Sequence, residues 1–434
     1  MKRNLVKPSF YNELINKSDG VALYNTKTGK AVRIYGNRAM RAKAMLLNQA
    51  PQALNKDDDL QTSLYALQFL IDLSLDEFQE MAKLEEEQLF DDFLYLTILP
   101  TEQCNFRCSY CYENFLRGKM PDAIQEQLCE FVEKKIHFEK GLMVNWFGGE
   151  PLEALDVIEN LSKRLIDLCK AHKKVYYAGM TTNGYNLTLD IVKQLKKLHV
   201  TQYQITLDGL PHNHDQQRYL ATGEGTANQI IQNLLDIKNG IKSKTIHFNL
   251  RTNFTKPMLS QIGQFSEFLE KNFLSDDKFG IFWQVVGDYG QLIDDSIREE
   301  FCSENDYSEV ILKQAIRHRN SVFETAMRPA GSVCYALKRN AYVISSDGLI
   351  KKCTCDMETN ANRFGSLSEG IDERKHEAWL RRKILPNSKC YTCKKRPICH
   401  FRACKKSHFC PPNLYFFDQM LSKLTDDKNF YTEI

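Results

Sequence analysis

The sequence predicts an α/β protein whose largest part is an open barrel of parallel strands. From residue 93 the hydrophobic period changes, and six runs with the character of β-strands follow one another. Helix-like stretches such as 124–136 and 152–172 separate them. Strands alternating with helices of this length form parallel βαβ units, and six units suit a partial (β/α)6 TIM barrel rather than a closed eight-fold one. The six runs are residues 93–99, 142–147, 175–182, 202–207, 245–252 and 280–286.

The residues before the first of these strands follow a different pattern. Residues 21–35 alternate around a Thr-Gly turn and predict a β-hairpin. Helical patterns follow at 37–50 and 60–73, and the polar run 75–92 suits either a helix or a linker. We therefore expect three domains, at residues 1–90, 91–305 and 306–434.

Cysteine density rises where the regular pattern fades, past residue 330. The chain has 14 cysteines, of which seven lie in residues 334–404 and an eighth is Cys410. A region that is poor in long apolar runs and rich in paired cysteines is usually held together by metal. We call the cysteines from Cys334 to Cys410 the second cysteine field, to distinguish them from a group of three cysteines at 104–111.

Composition and charge indicate the compartment of the protein and exclude some classes of partner. The charged fraction of 26% and the hydrophobic fraction of 43% are ordinary for a globular protein. A net charge of +3 gives no field that favours nucleic acid as a partner. The N-terminal residues lack the apolar core of a signal peptide, and no apolar run is long enough to cross a membrane. We expect a cytoplasmic protein, in which cysteines serve as metal ligands rather than as disulfides.

The stretch "PTEQCNFRCSYCYE" (residues 100–113) holds three cysteines in the spacing Cys-x3-Cys-x2-Cys, at Cys104, Cys108 and Cys111. It follows the first predicted strand, and ligands of such folds collect at the carboxyl ends of the strands. Zinc sites usually have a closed set of four ligands, whereas an iron–sulfur cluster with three cysteines keeps one iron free. A zinc site completed by a distant Cys or His is the alternative. Tyr110, directly before the third cysteine, counts against it.

This loop resembles the cluster-binding motif of the radical S-adenosylmethionine (SAM) enzyme family. Further matches follow later strands: "FGGEP" at 147–151, "TTNG" at 181–184 and "TLDGLPHNHDQQR" at 206–218. A single GGEP or TNG would be weak, but four such features in order at successive strand ends are specific. The resemblance covers roughly residues 93–290.

The resemblance implies a cofactor site with named residues. The three cysteines would bind a [4Fe–4S] cluster whose open iron chelates SAM, and reductive cleavage of SAM would give a 5′-deoxyadenosyl radical that abstracts a substrate hydrogen. Glu150 would contact the amino group and Arg218 the carboxylate of SAM, with an ordinary turn carboxylate as the alternative for Glu150. The implied cofactor-binding residues are Tyr110, Gly148, Gly149, Glu150, Thr182, Asn183, Asp208 and Arg218.

The second cysteine field resembles the SPASM extension of peptide-modifying radical SAM enzymes, which carries two auxiliary [4Fe–4S] clusters. The chain would then hold three [4Fe–4S] clusters. One departure is that "CHFRAC" has four residues between its cysteines where the family usually has three. By resemblance, one auxiliary cluster would be held by Cys390, Cys393, Cys399 and Cys410, and the other by Cys334, Cys353 and Cys404.

The second of these ligand sets is one cysteine short. Cys355 is the nearest candidate to complete it, and otherwise that iron is open to a substrate thiolate. Asp356 resembles the acid of a Cys-Asp pair in sulfatase-maturating relatives, where it accepts a proton, and is our candidate catalytic residue. The thiols outside both fields are expected to be core or surface residues: Cys129, Cys169 and Cys302.

Two functions from this family compete, and both predict an enzyme that acts on a peptide. The first modifies a ribosomally made precursor peptide and installs an intramolecular thioether or carbon–carbon crosslink. In it, residues 1–90 would form a winged-helix-like domain that binds the leader peptide, with a sheet-and-helix cap without a ligand as the alternative. The second is a sulfatase-maturating, formylglycine-generating enzyme, whose relatives begin their cluster loop near the N-terminus.

The implied partners follow from this chemistry. They are the precursor peptide and an electron donor such as flavodoxin or ferredoxin, with neither nucleic acid nor membrane. An iron–sulfur electron carrier is the non-catalytic alternative, and it would need neither GGEP nor an arginine placed for SAM. The bond that the enzyme forms is left open.

Overall fold

The computed structural model divides the chain into two compact units. The first contains Met1–Leu89, Ile311–Cys334 and Lys383–Ile434, and the second contains Phe90–Val310 and Tyr335–Arg382. The structure describes residues 5–48, 50–87, 89–90, 92–289, 293–317, 329, 334–380, 388–399, 417–426, 428 and 430–434.

The first unit contains two small sheets and the predicted hairpin. Its elements are β1 (Leu5–Pro8), β2 (Asn12–Lys17), β3 (Gly20–Asn25), β4 (Ala31–Tyr35), α1 (Gly36–Leu47), β5 (Gln52–Ala53), α2 (Asp59–Ala66), β6 (Leu70–Asp72), α3 (Glu77–Glu87), α13 (Phe417–Leu424) and β17 (Thr432–Glu433). Strands β3 and β4 pair antiparallel and confirm the hairpin. Their sheet has the order β17-β4-β3-β2, and the other has the order β5-β1-β6.

The helix predicted over 60–73 is wrong in its second half. Helix α2 ends at Ala66, Gln68 takes a left-handed backbone conformation with φ of 64°, and β6 follows. Leu64 in the helix and Phe69, Leu70 and Ile71 after it are all buried, so hydrophobic pattern alone does not distinguish the helix from the strand here. Most of the run 75–92 forms a helix, α3 (Glu77–Glu87). Asp76, directly before it, caps the helix by accepting hydrogen bonds from the backbone N–H groups of Phe78 (3.0 Å) and Gln79 (3.1 Å).

The second unit contains all six predicted strands, side by side and parallel, in the order of the chain. Each lies within two residues of its predicted bounds. The strands are β7 (Phe93–Ile98), β8 (Gly141–Trp146), β9 (Val175–Thr182), β10 (Val200–Thr206), β11 (His247–Phe254) and β12 (Phe279–Val285). The helices between them are α4 (Asp122–Ile136), α5 (Leu155–Ala171), α6 (Leu189–Lys197), α7 (Pro211–Gln217), α8 (Ala227–Gly240) and α9 (Ile262–Leu269).

Burial alternates along these strands. In β11, Phe248, Leu250 and Phe254 are fully buried, whereas His247 and Asn249 on the opposite face are exposed. The rings of Tyr203, Phe248 and Phe279 stack across three neighbouring strands, with centroids 5.1 and 5.2 Å apart. One face therefore packs on the helices, and the other lines an open, partial barrel.

The sheet continues beyond β7, which sequence reasoning missed. Strand β13 (Ala341–Ile344) pairs parallel with β7, and three short antiparallel strands extend the sheet to ten. These are β14 (Leu349–Lys351), β15 (Arg363–Ser366) and β16 (Gly370–Ile371). A stretch expected beyond the barrel thus belongs to its sheet. The remaining α-helices among the described residues are α10 (Asp295–Glu299), α11 (Glu304–Arg317) and α12 (Glu373–Leu380).

Within the described ranges, no helix combines the length and the apolar character that crossing a membrane requires.

Candidate active site at the ends of the parallel strands

The three-cysteine loop directly follows β7, as predicted. Cys104, Cys108 and Cys111 are half-buried, and none forms a disulfide. The backbone N–H of Phe106 donates to Cys104 Sγ over 3.3 Å. Burial raises the pKa of all three thiols, that of Cys111 to about 12. Thiolates therefore need added positive charge here, which a bound metal centre supplies.

Backbone pairing attaches this loop to the segment that ends the fourth predicted motif. The N–H of Arg107 donates to the carbonyl of Tyr219, and that of Ser109 to the carbonyl of Gln217, both over 2.9 Å. The first and fourth motifs, about one hundred residues apart in sequence, are thus neighbours in the fold. Because the loop is held by main-chain bonds, its position depends on the fold more than on any single side chain.

The glycines of the second motif let the loop approach closely. A Cβ atom on Gly148 would lie 2.2 Å from the carbonyl oxygen of Thr101, and one on Gly149 would lie 2.3 Å from that of Gln103. Gly148 also has a φ of 124°, which favours glycine. The next residue, Glu150, donates its N–H to the Gln103 carbonyl over 2.9 Å. Both glycines are required by this packing of chain on chain.

Glu150 joins the second and third motifs. Its carboxylate is fully buried and accepts hydrogen bonds from Thr182 Oγ1 (2.7 Å), Asn183 N–H (2.7 Å) and Leu152 N–H (3.0 Å). Burial raises its pKa to about 7 in spite of these bonds. None of these donors is a cation, so a cationic ligand beside Glu150 would stabilise its charged form.

Asn183 links this carboxylate to the cysteine loop. Its side-chain amide donates to Asn105 Oδ1 over 2.7 Å and lies 4.0 Å from Cys104 Sγ. The side-chain oxygen of Asn183, Oδ1, accepts the backbone N–H of Tyr185 over 3.0 Å. The third motif therefore lies against the first cysteine.

A buried charge network forms the other side of the site. Tyr110 donates a short hydrogen bond to Asp208, and Arg218 donates to Tyr110 over 2.8 Å. Arg218 Nε lies 3.9 Å from Asp208, is buried, and has no hydrogen-bond partner. Burial raises the pKa of Asp208, and the neighbouring Arg218 opposes this rise. The unsatisfied Nε is suited to an anionic ligand.

Sequence reasoning missed residues on both sides of this network. Asn253, at the end of β11, donates its backbone N–H to Asp208 (2.6 Å) and its side-chain amide to Tyr110 (3.2 Å). Its position at a strand end is the signal that could have identified it.

Tyr112 and Glu113 directly follow the third cysteine. Burial, and then the charge of Cys355, raises the pKa of Tyr112, and burial raises that of Glu113 to about 8.

The second cysteine field is described in part. Cys353, Cys355 and Asp356 follow β14, and Cys355 donates its N–H to Cys353 Sγ over 3.3 Å. Cys355 lies near enough to Tyr112 for their charges to interact. Asp356 is half-buried, and its carbonyl accepts a hydrogen bond from Asn362 (2.9 Å). We call residues 352–356 the Cys353 turn.

Four other predicted ligands of this field are described and lie in the first unit. Cys334, Cys390, Cys393 and Cys399 are half-buried. Cys393 donates its N–H to the Cys390 carbonyl over 3.3 Å, within a short helical turn. The last two predicted ligands, Cys404 and Cys410, lie outside the described residues.

Comparison with known proteins agrees with this site. Residues 98–254 match the model of the radical SAM superfamily. A GTP 3′,8-cyclase of Haemophilus ducreyi is 27% identical over 150 residues, which are 33% of this chain and 40% of that enzyme. The chain spans between 36% and 60% of the length of the first curated relatives it matches.

Two solved structures share the fold. The structure of native anSMEcpe with bound AdoMet and Cp18Cys peptide has a TM-score of 0.59 and 17% identity, covering 77% of this chain and 99% of that one. Streptococcus suis SuiB bound to its precursor peptide SuiA has a TM-score of 0.50 and 15% identity, covering 98% and 97%. Together with the motifs above, the family match leads to one conclusion: residues 98–254 form a domain of the radical SAM superfamily.

Proposed function

We propose that this radical SAM enzyme modifies a ribosomally made precursor peptide by installing an intramolecular crosslink. The observation that carries the enzymatic part is the pair of buried groups beside the cysteine loop. Glu150 there has no cation among its donors, and Arg218 Nε has no acceptor. A buried acid without a cationic donor and a buried guanidinium nitrogen without an acceptor together suit a zwitterionic ligand.

The residues of the site fit a [4Fe–4S] cluster with SAM. Cys104, Cys108 and Cys111 would hold the cluster, Glu150 would bind the amino group of SAM, and Arg218 Nε would bind its carboxylate. Bound together, cluster and SAM supply a 5′-deoxyadenosyl radical, which removes a hydrogen atom from the substrate. The protein would then hold both ends of the amino acid moiety of SAM.

The proposed reaction removes two hydrogens from the peptide. One leaves as a hydrogen atom to the 5′-deoxyadenosyl radical. The other leaves as a proton and an electron when the new bond forms, so an electron acceptor is required. Auxiliary clusters would supply that acceptor, one held by Cys390, Cys393, Cys399 and Cys410 and the other by Cys334, Cys353 and Cys404, with Cys355 completing the second set. Asp356 is the proposed proton acceptor.

Residues 1–90 are the proposed reader of the leader peptide. Their β2–β4 sheet with helix α1 supports recognition by strand addition, in which a peptide adds main-chain hydrogen bonds at a sheet edge. The SuiB structure contains a precursor peptide, and its fold matches 98% of this chain. Both observations support a precursor with a leader as the substrate.

The second candidate is a sulfatase-maturating enzyme. The favouring observations are the TM-score of 0.59 with anSMEcpe and the Cys-Asp pair at Cys355 and Asp356. This enzyme would replace a cysteine sulfur or oxidise a serine in its substrate, without forming a crosslink.

The test combines two substrates with one enzyme preparation. Reconstituted protein is given SAM, a reductant and either the peptide encoded by a neighbouring short reading frame or a cysteine-containing sulfatase peptide. The proposal predicts loss of two hydrogens from the first peptide, and fragmentation gaps that locate the crosslink. Conversion of only the sulfatase peptide would select the second candidate.

Leader recognition needs its own measurement. Deleting residues 1–85 is unsuitable, because Arg396 of the predicted cluster segment pairs with Glu85 over 2.6 Å. Hydrogen exchange of the whole protein is preferable: the peptide should protect amides of the first-unit sheets. Equal hydrogen exchange with and without the peptide would count against recognition of the leader peptide by residues 1–90.

A further inference from the structure

A fully buried asparagine encloses the Cys353 turn. Asn362 Oδ1 accepts the backbone N–H groups of Lys352 and Cys353, both over 2.9 Å. Its Nδ2 donates to the carbonyls of Cys353 (2.8 Å) and Asp356 (2.9 Å). All four hydrogen bonds that an asparagine side chain can make are therefore made to one five-residue turn.

A tyrosine holds the same turn at its centre. The hydroxyl of Tyr335 accepts the N–H of Thr354 over 2.9 Å and shares a hydrogen bond with Thr354 Oγ1 over 2.8 Å. Tyr335 and Asn362 lie on opposite sides of the turn in sequence. Two side chains thus fix a segment that belongs to no strand or helix.

The turn presents Cys353 as the first loop presents Cys104. Cys353 Sγ accepts the N–H of Cys355, and Cys104 Sγ accepts the N–H of Phe106, each from two residues onward and each over 3.3 Å. Hydrogen bonds from backbone N–H to sulfur stabilise a thiolate and help set the reduction potential of an iron–sulfur centre. The geometry is formed by protein groups alone.

We infer that Asn362 is a positioning residue for the metal centre served by Cys353. It fixes the backbone on both sides of the cysteine and so aims the Cys355 N–H at the sulfur. This inference rests on the proposed auxiliary cluster. An apolar side chain of similar size would fill the space but leave four backbone groups without their partner, which explains why an amide stands here.

The test uses the whole protein with the first cluster removed by replacing Cys104, Cys108 and Cys111 with Ala. Asn362→Ala and Asn362→Asp are compared in this background after anaerobic reconstitution. Asp keeps the acceptor for Lys352 and Cys353 but cannot donate to the two carbonyls. Iron and sulfide content, the electron paramagnetic resonance spectrum and the midpoint potential are measured.

We expect Asn362→Ala to lower iron affinity at this centre ~10-fold or more, the usual effect of losing an outer hydrogen-bonding partner. Asn362→Asp should keep more iron but change the spectrum and lower the potential, because it adds negative charge. Asn233→Ala is the matched control: Asn233 is buried and donates to the carbonyls of Gly184 (3.0 Å) and Tyr185 (2.7 Å). It should change none of the three readouts.

Wild-type iron, spectrum and potential in both Asn362 variants would overturn the inference. If Asn362→Ala fails to fold, Asn362→Asp decides, since it conserves size and two hydrogen bonds. Cys353→Ala separates this result from failure of the proposed cluster. If Cys353→Ala also leaves iron and spectrum unchanged, no centre exists at Cys353 and the inference falls with it.

Discussion

The first cysteine loop and the Cys353 turn share a local geometry but have different supports. Each directs an N–H at a cysteine sulfur over 3.3 Å. The first loop is held by main-chain bonds to residues 217–221 and by close glycine contacts. The Cys353 turn is held by two side chains, Asn362 and Tyr335. Main-chain support tolerates most side-chain changes nearby, whereas side-chain support depends on single residues.

The two regions also differ in electrostatics. The first loop lies beside the buried charges of Asp208 and Arg218 and the buried acid Glu150. Hydrogen bonds to Asn362, a neutral amide, hold the Cys353 turn. The first region is therefore arranged to bind a charged ligand, and the second to fix a geometry. Single substitutions can test this contrast, from large effects to small ones.

The largest effect is expected from Arg218→Ala. It leaves Asp208 buried without its counter-charge, which costs about 3–5 kcal/mol of stability. It also removes the proposed partner of the SAM carboxylate, so SAM cleavage should become undetectable. Arg218→Lys keeps the charge without the fork, and we expect partial cleavage with a raised KM for SAM. Unimpaired cleavage in Arg218→Ala would remove this residue from the SAM site.

The second effect concerns a buried ion pair beside the cysteines of the first unit. Arg396 lies between Cys393 and Cys399 and pairs in two places with Glu85, over 2.8 and 2.6 Å, and both side chains are buried. Arg396→Ala should destabilise the protein by about 3–5 kcal/mol, because the glutamate is left charged and buried. Denaturant unfolding measures this. The double variant with Glu85→Ala should lose less than the sum, and additivity would argue against the pair.

A smaller effect is expected at Gly149, where the backbone of the second motif packs closely on that of the first cysteine loop. Gly149→Ala places a Cβ 2.3 Å from the Gln103 carbonyl oxygen. The loop must shift, at a cost of about 1–3 kcal/mol, and SAM cleavage should fall with it. Gly263→Ala is the control, since Gly263 is in a helix with nothing within 4 Å. That change should be neutral or stabilise by about 1 kcal/mol. Equal results for both glycines would refute the close-packing argument.

The smallest effect, per pH unit, is a pH dependence near the strands that carry the Cys353 turn. Burial, and then the charge of Lys352, lowers the pKa of His376 to about 4, with Glu373 opposing and Arg339 adding to the shift. Between roughly pH 6.5 and pH 4 the unfolded chain therefore binds a proton that the folded chain does not. The free energy of unfolding should fall by up to about 1.4 kcal/mol per unit of decreasing pH.

His376→Phe should reduce this slope when unfolding is followed across that pH range. The exposed His212 gives a control variant, His212→Gln, which should keep the wild-type slope. A wild-type slope in His376→Phe would show that other groups carry the pH dependence.

The motifs and the six barrel strands were predictable because each is a local pattern. A strand run and the motif at its end lie within about ten residues of each other, as with β7 and the cysteine loop. The fold then brings the ends together in a fixed order. Asn253 was missed although it lies at a strand end, because its partners are 45 and 143 residues away in sequence. Asn362 and Tyr335 have nearer partners, but a lone polar residue in an irregular stretch belongs to no periodic pattern that would mark it. Strands β13–β16 were missed because runs of two to four residues carry little periodicity.

The central claim is that the loop with Cys104, Cys108 and Cys111 forms the radical-generating site and the second cysteine field does not. The most direct test measures 5′-deoxyadenosine formed from SAM by dithionite-reduced protein after anaerobic reconstitution. Our account predicts formation by the wild-type protein and by Cys353→Ala, and none by the variant with all three loop cysteines replaced, which should also lose about four irons. Cleavage that survives in the triple variant, or is absent from iron-loaded wild-type protein, would contradict it.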